Sequence, residues 1–220
     1  KVGTAILTSA TLTTGRPPSF GFLRRRLGLD TADELVLGSP FDYSRQARIV
    51  LRADLPDPAR DSEGWEAALP AAVEAAVRES GGGALVLFTS WRQLRDVVRR
   101  LPAPLQARMK IQGDASKQAL LTAHREAVDA GKQSVLVGLA SFAEGVDLPD
   151  DYCRHVVIAK LPFAVPDDPV DQAMAEWAEA QGRNAFFDIA VPDAALRLVQ
   201  ACGRLIRHER DYGRITLLDR

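Results

Sequence analysis

Within VQACGRLIRHERDYG, residues 199–213, the side chains Gln200, Arg204, Arg207 and Asp211 recur at i, i+4, i+7 and i+11. On a helix that spacing lays all four along one stripe. Two guanidiniums one turn apart can each donate a fork of hydrogen bonds to phosphoryl oxygens, and a glutamine beside them can orient a water. Gly203 removes a side chain where a ligand or a second domain would approach. A solvated basic face on an amphipathic helix has the same spacing, so this stretch alone leaves both readings open.

Three further segments bear on the choice: ILTSATLTT at 6–14, ALVLFTSW at 84–91 and VLVGLASFAEGVDLPDD at 135–151. Each is an apolar, strand-like run that ends in small, polar or acidic residues. Taken in this order with QACGRLIRHERDYG, they resemble the C-terminal motor half of the DinG/XPD family of superfamily-two DNA helicases. SPFDY at 39–43 and LPFAVPDDP at 161–169 look more like bacterial DinG than like XPD. The resemblance covers nearly the whole chain, and four ordered motifs are far more specific than any one.

Composition fits a folded domain, with 220 residues and 46% hydrophobic content. That is ample for a core. A formal net charge of −1 excludes binding to nucleic acid through bulk basic charge, so any such contact must be local. Two cysteines, Cys153 and Cys202, are too few for a disulfide scaffold, a four-cysteine zinc site or an iron–sulfur cluster, and the three histidines lack ligand spacing. Reduced thiols and no metal are expected. No apolar run approaches the roughly 18 residues of a membrane span and no signal peptide is visible, so a cytoplasmic, membrane-free protein is expected. The chain opens inside a strand-like run without Met, which suggests an excised fragment.

The elements that must position these residues can be read from periodicity. Residues 1–8 read as a strand, and 19–29 as a helix with Phe20, Leu23 and Leu27 in register and Gly28 as its stop. Residues 47–54 alternate as a half-buried strand through Ala47, Ile49, Leu51 and Ala53. Ser62 is placed to cap a helix carrying Trp65, Leu69, Val73, Ala76 and Val77, which Pro70 should kink or restart. Strands at 84–89, 108–112, 134–138, 154–160 and 215–219 then alternate with helices at 90–101, 117–130 and two stretches within 167–207. Trp91, Leu94, Val97 and Val98 are expected to point inward from the first of these helices. Solid apolar strands alternating with helices predict an α/β fold, a parallel sheet with helices on both faces. The resemblance makes it RecA-like, with 1–38 as the remnant of a first motor domain and 39–220 as the second.

Open parallel sheets bind ligands at the carboxyl ends of their strands, and Thr89–Ser90, Leu139–Asp147 and Gln200–Arg207 are expected there. Thr89 and Ser90 offer donors suited to a DNA phosphate, though Ser90 also suits a plain helix cap. By the resemblance, Ser141 and Phe142 face DNA, Phe142 serving either as a base platform or as a core plug. Asp147, Gly145 and Glu144 belong to the nucleotide side, with Asp147 either on the ribose or fixing the arginine helix, and Glu144 either orienting Arg204 or another cation or serving as a cap. Thr8, Ser9 and Thr11 match the coupling motif. Arg207 is the expected finger on ATP, with Arg204 on the γ-phosphate and Gln200 near the attacking water.

The chain contains no GxxxxGK[ST] loop and no DEAH-like box. The resemblance therefore assigns ATP and Mg2+ mainly to an absent first motor domain, along with any iron–sulfur cluster, and implies a fragment inactive by itself. Its implied partners are single-stranded DNA, forks or hybrid duplexes and that first motor domain, with the fragment monomeric and the parent moving 5′ to 3′. A non-catalytic docking module of the same fold is the alternative.

Overall fold

The computed structural model describes residues 4–164 and 168–220. In chain order the elements are α1 (Gly21–Leu27), α2 (Tyr43–Gln46), β1 (Ala47–Leu51), α3 (Ser62–Arg78), β2 (Ala84–Phe88), α4 (Trp91–Arg100), α5 (Ala103–Gln106) and β3 (Met109–Ile111). There follow α6 (Lys117–Asp129), β4 (Val135–Leu139), β5 (His155–Ile158), α7 (Pro169–Ala180), α8 (Val191–Cys202) and β6 (Gly213–Leu217). Short 3-10 turns lie at Ala140–Ala143 and Asp150–Tyr152, and a π-helical turn at Phe186–Ala190. Two compact units emerge. One holds the described residues up to Gly38 with Phe163–Gln200, the other Ser39–Pro162 with Ala201–Arg220.

The second unit is built on one six-stranded sheet in the order β1-β6-β5-β2-β4-β3, and every pairing is parallel. The expected α/β fold is therefore observed, for the expected reason. β2 and β5 are buried at every position because helices cover both faces, which is why β2 and residues 156–158 of β5 read as unbroken apolar runs. α3 packs Trp65, Leu69, Val73 and Val77 into this core with Leu94 and Val97 of α4. The Trp65 indole N–H donates to the carbonyl of Leu218 at 2.8 Å, so the largest core side chain also satisfies its polar atom.

The first unit is helical. Its helix α1 stops at Gly28, whose φ of 65° is the left-handed geometry of a C-cap glycine. Arg26 of α1 pairs with Asp171 of α7 at 3.4 Å and with Asp193 of α8 at 3.5 Å.

Several local expectations fail. Residues 4–8 form no strand, and Ile6 is 85% exposed, because no described strand pairs with them; residues 1–3 lie outside the described set. Ile49 and Leu51 are 65% and 62% exposed, since β1 is an edge strand with its alternate face uncovered. Asp61, not Ser62, caps α3, accepting from the Gly64 N–H at 2.9 Å. Pro70 sits inside α3 with the helix continuous through it. Trp91 is exposed rather than inward, for it occupies the first position of α4, before the helix settles on the sheet.

Candidate functional site

The helical stripe does not survive beyond Gln200. α8 ends at Cys202, and residues 203–212 form a chain of turns before β6. Arg204 N–H bonds to the Ala201 carbonyl and Leu205 N–H to that of Cys202, a tightened last turn that unwinds the helix. Arg204, Arg207 and Asp211 are nevertheless gathered, by tertiary contacts instead of helical periodicity.

Asp211 is the anchor. Buried at 2% exposure, its carboxylate accepts from the N–H of Arg207 at 2.7 Å and of His208 at 2.8 Å through Oδ2. Oδ1 accepts from the N–H of Asp150 at 2.9 Å. A charged acceptor on three backbone donors satisfies a turn that has no ladder of its own. The two guanidiniums then converge: Arg204 donates to the Val146 carbonyl at 3.0 Å and Arg207 to the same oxygen at 2.9 Å. Arg207 Nε also lies 3.3 Å from Asp147 Oδ1, an ion-pair distance but off the N–H axis, so this buried nitrogen makes no hydrogen bond.

Burial and the neighbouring Arg207 push the Arg204 guanidinium below its usual range, while Asp147 and Glu144 pull the other way. It remains a cation. Two like charges sharing one carbonyl are stabilised by an anion that accepts from both, and the Arg207 side chain keeps 31% exposure from which to offer its fork. The donors fit phosphoryl oxygens. Gly203 is exposed in the turn beside them, and Gly145, with φ 67°, has nothing within 4 Å of where a Cβ would stand. Glu144 is exposed, and its carbonyl accepts from Lys117 Nζ.

These groups occupy two edges of the sheet. Thr89–Ser90 follow β2 and Ser141–Phe142 follow β4, at the carboxyl edge as expected. Arg204–Asp211 precede β6 and are tied to Asp150, ahead of β5, and to Gln46, ahead of β1, which puts them at the amino edge. The expectation that all three groups share the carboxyl edge is therefore corrected. A helix that crosses back between parallel strands delivers its C-terminus to the opposite edge, about 15 Å away for strands of this length.

At the carboxyl edge Ser90 caps α4, its Oγ accepting from the Gln93 N–H at 3.2 Å, and it stays exposed, so cap and donor roles coexist. Thr89 is half-buried and Ser141 exposed. Phe142 is 5% exposed and packs over Gly138, where any Cβ would collide with the ring at 2.7 Å; it is a core plug and presents no face for a base. In the other unit, Thr8, Ser9 and Thr11 are exposed or half-buried, Ser9 Oγ accepts from the Thr11 N–H at 3.2 Å, and Gln200 donates to Thr11 Oγ1 at 3.0 Å. Gln200 thus belongs with the hydroxyl segment in its unit.

Sequence reasoning missed Gln46, the Val146 carbonyl and the Asp211 anchor. Only Asp211 had a signal, its place on the stripe. Cys153 is buried and its thiol pushed up to about 12 by desolvation, which removes it as a nucleophile. Among the described residues no group of three or more His, Cys, Asp or Glu converges as a metal site.

Residues 73–220 match the family described as helicase C-terminal domain. The chain is 40% identical over 225 residues to the ATP-dependent DNA helicase DinG of Photobacterium profundum, covering 98% of this chain and 31% of that protein. It is 36% identical to the ATP-dependent DNA helicase YoaA of Escherichia coli, over 100% of this chain and 33% of the relative. It thus spans about a third of the length of these relatives. Among solved structures, one titled XPD helicase matches with a TM-score of 0.59 and 21% identity, over 79% of this chain and 31% of that one. Another, titled structure of S. tokodaii Xpd4, also reaches 0.59, at 18% identity, over 81% and 35% of the two chains. At that identity the likeness concerns the fold, the RecA-like sheet.

Proposed function

Because this chain belongs to the helicase C-terminal domain family, we propose that it is the second motor domain of an ATP-dependent DNA helicase of the DinG kind. Residues 1–38 are the end of the first motor domain, 39–220 the second, and Phe163–Gln200 a helical excursion from it. The parent is cytoplasmic and moves 5′ to 3′ on single-stranded DNA, opening forks or hybrid duplexes. This part is monomeric and without ATPase activity by itself, since ATP and Mg2+ are held mainly by the first motor domain.

The observation that carries this reading is the convergence of Arg204 and Arg207 on the Val146 carbonyl, with the turn behind them anchored by buried Asp211. A guanidinium held so firmly needs little reorganisation to meet charge developing on a transferring phosphoryl group. Arg207 is the finger, Arg204 reaches the γ-phosphate and Gln200 the attacking water. Asp147 restrains Arg207, while Glu144 adds charge that favours the Arg204 cation. Gly145 and Gly203 leave room for the nucleotide. Thr8, Ser9 and Thr11, with Gln200 on Thr11, relay nucleotide state. Thr89, Ser90 and Ser141 contact DNA phosphate at the opposite edge. Closure of the two motor domains brings the arginines to ATP, so hydrolysis becomes stepping along the strand.

The test is DNA-stimulated ATPase of the full-length protein carrying Arg207→Ala. A loss of kcat of roughly 10³-fold, with single-stranded DNA affinity unchanged, is expected of a finger. Normal hydrolysis in that variant would remove the finger reading and favour a docking module.

A further inference from the structure

Gln46 is the last residue of α2 and stands directly before β1. Its side-chain amide nitrogen lies 3.2 Å from the carbonyl of His208, 3.1 Å from that of Glu209 and 2.9 Å from that of Asp211. An amide oxygen in that place would face three carbonyl oxygens, so the NH2 end must point there. Asp211 satisfies the N–H side of the arginine turn and Gln46 the C=O side. The turn is thereby held from both faces.

The position of Gln46 is itself fixed twice. Its own N–H bonds to the Asp42 carbonyl at 3.0 Å, within SPFDY, and the next residue, Ala47, pairs with Gly213 in the parallel register of β1 and β6. The sheet edge and the SPFDY segment therefore set where the carbonyls of 208–211 must lie. Arg207 opens that turn, and a guanidinium at the end of a long side chain magnifies any tilt of its backbone.

We propose that Gln46 is a positioning residue for Arg207: its amide clamps the arginine turn so that the guanidinium stays at the geometry phosphoryl transfer requires. This rests on the reading of Arg207 as the group that reaches the triphosphate. A displacement of about 1 Å is enough to cost on the order of 10²-fold in rate. The role calls for a donor at the tip of a side chain of this length. Gln46→Met keeps the length and removes the donor, whereas Gln46→Glu keeps the shape and sets a carboxylate against three carbonyls. A protonated carboxyl regains one donor, so the Glu variant carries its own pH signature.

The experiment measures steady-state ATPase of the full-length protein with saturating single-stranded DNA, for wild type, Gln46→Met, Gln46→Glu and Arg207→Ala, and for Gln46→Met combined with Arg207→Ala. Gln46→Met is expected to lower kcat about tenfold or more, with KM for ATP and DNA affinity within about twofold. Gln46→Glu is expected to fall further at pH 8 and to recover severalfold relative to wild type at pH 6. In the Arg207→Ala background Gln46→Met should add less than about twofold, because the group it positions is gone. Retention of kcat in Gln46→Met overturns the proposal, as does an equal fold-loss with and without Arg207, which would mark a general structural role. The finger reading is tested separately by Arg207→Ala alone, so a failure of the Gln46 clamp is distinguishable from a failure of that reading.

Discussion

The amino and carboxyl edges of the sheet hold their polar groups by opposite means. At the amino edge a buried carboxylate that ties the turn to Asp150, a clamping glutamine and a shared carbonyl fix the arginine turn through contacts distant in sequence. At the carboxyl edge Ser90 and Ser141 are exposed, and Ser90 is placed by a local helix cap three residues long. The arginine turn is held by bonds to Gln46, Val146 and Asp150, far along the chain, while Ser90 needs only a strand end and a helix start.

The largest effect is expected at Asp211. Asp211→Ala leaves three backbone donors without an acceptor, and a loss of about 4 kcal/mol in urea unfolding is expected, with Asp211→Asn recovering part of it. Equal stability of the Ala variant would deny the amino edge its anchor.

Acid should strike the same edge next. His155 is held between Ser80 Oγ at 3.1 Å and Thr216 Oγ1 at 2.7 Å, and burial pushes it from 6.5 down to about 4. Between those values the unfolded chain binds more protons than the folded one, so this contribution is complete above pH 6.5 and lost as pH falls toward 4. The loss approaches about 3 kcal/mol. His124, also lowered by burial, acts in the same direction. A His155→Gln variant should show a visibly flatter stability profile between pH 6.5 and 4 than the wild type.

At the carboxyl edge the effects are smaller. Gly138→Ala would drive a Cβ into the Phe142 ring and Gln112 Oε1, at 2.7 and 2.8 Å, and should cost about 2 kcal/mol as the ring shifts. Ser90→Ala should cost about 1 kcal/mol through the lost cap. A weakened, salt-dependent DNA affinity of the same variant at nearly intact stability separates contact from scaffold, and unchanged affinity would reduce Ser90 to a cap.

Legibility followed the range of the interaction. α4 and its Ser90 cap, α6 ending before Gly131 and the buried strands β2, β4 and β5 were readable because each is dictated within a few residues. β1 misled, because its alternation is real but its edge position leaves Ile49 and Leu51 outside. The arginines were legible as a pair, yet their helical stripe was not the arrangement that brings them together. Gln46 gave no signal, for nothing in SRQAR distinguishes a clamping glutamine from a solvated one.

Alternating apolar runs and amphipathic stretches thus determined by themselves that this chain forms a parallel α/β sheet, because burial on both faces demands that pattern. The residue types at 200–211 supplied two close guanidiniums, and their spacing alone left phosphate binding and a solvated basic face equally open. Which edge of the sheet receives that pair, and which groups hold it, was decided only when the crossovers returned the chain to the amino edge. There Gln46, Val146 and Asp150, far apart in sequence, come within hydrogen-bond reach of one turn. Hydrogen bonds act over about 3 Å in space, and separation along the chain does not encode that distance.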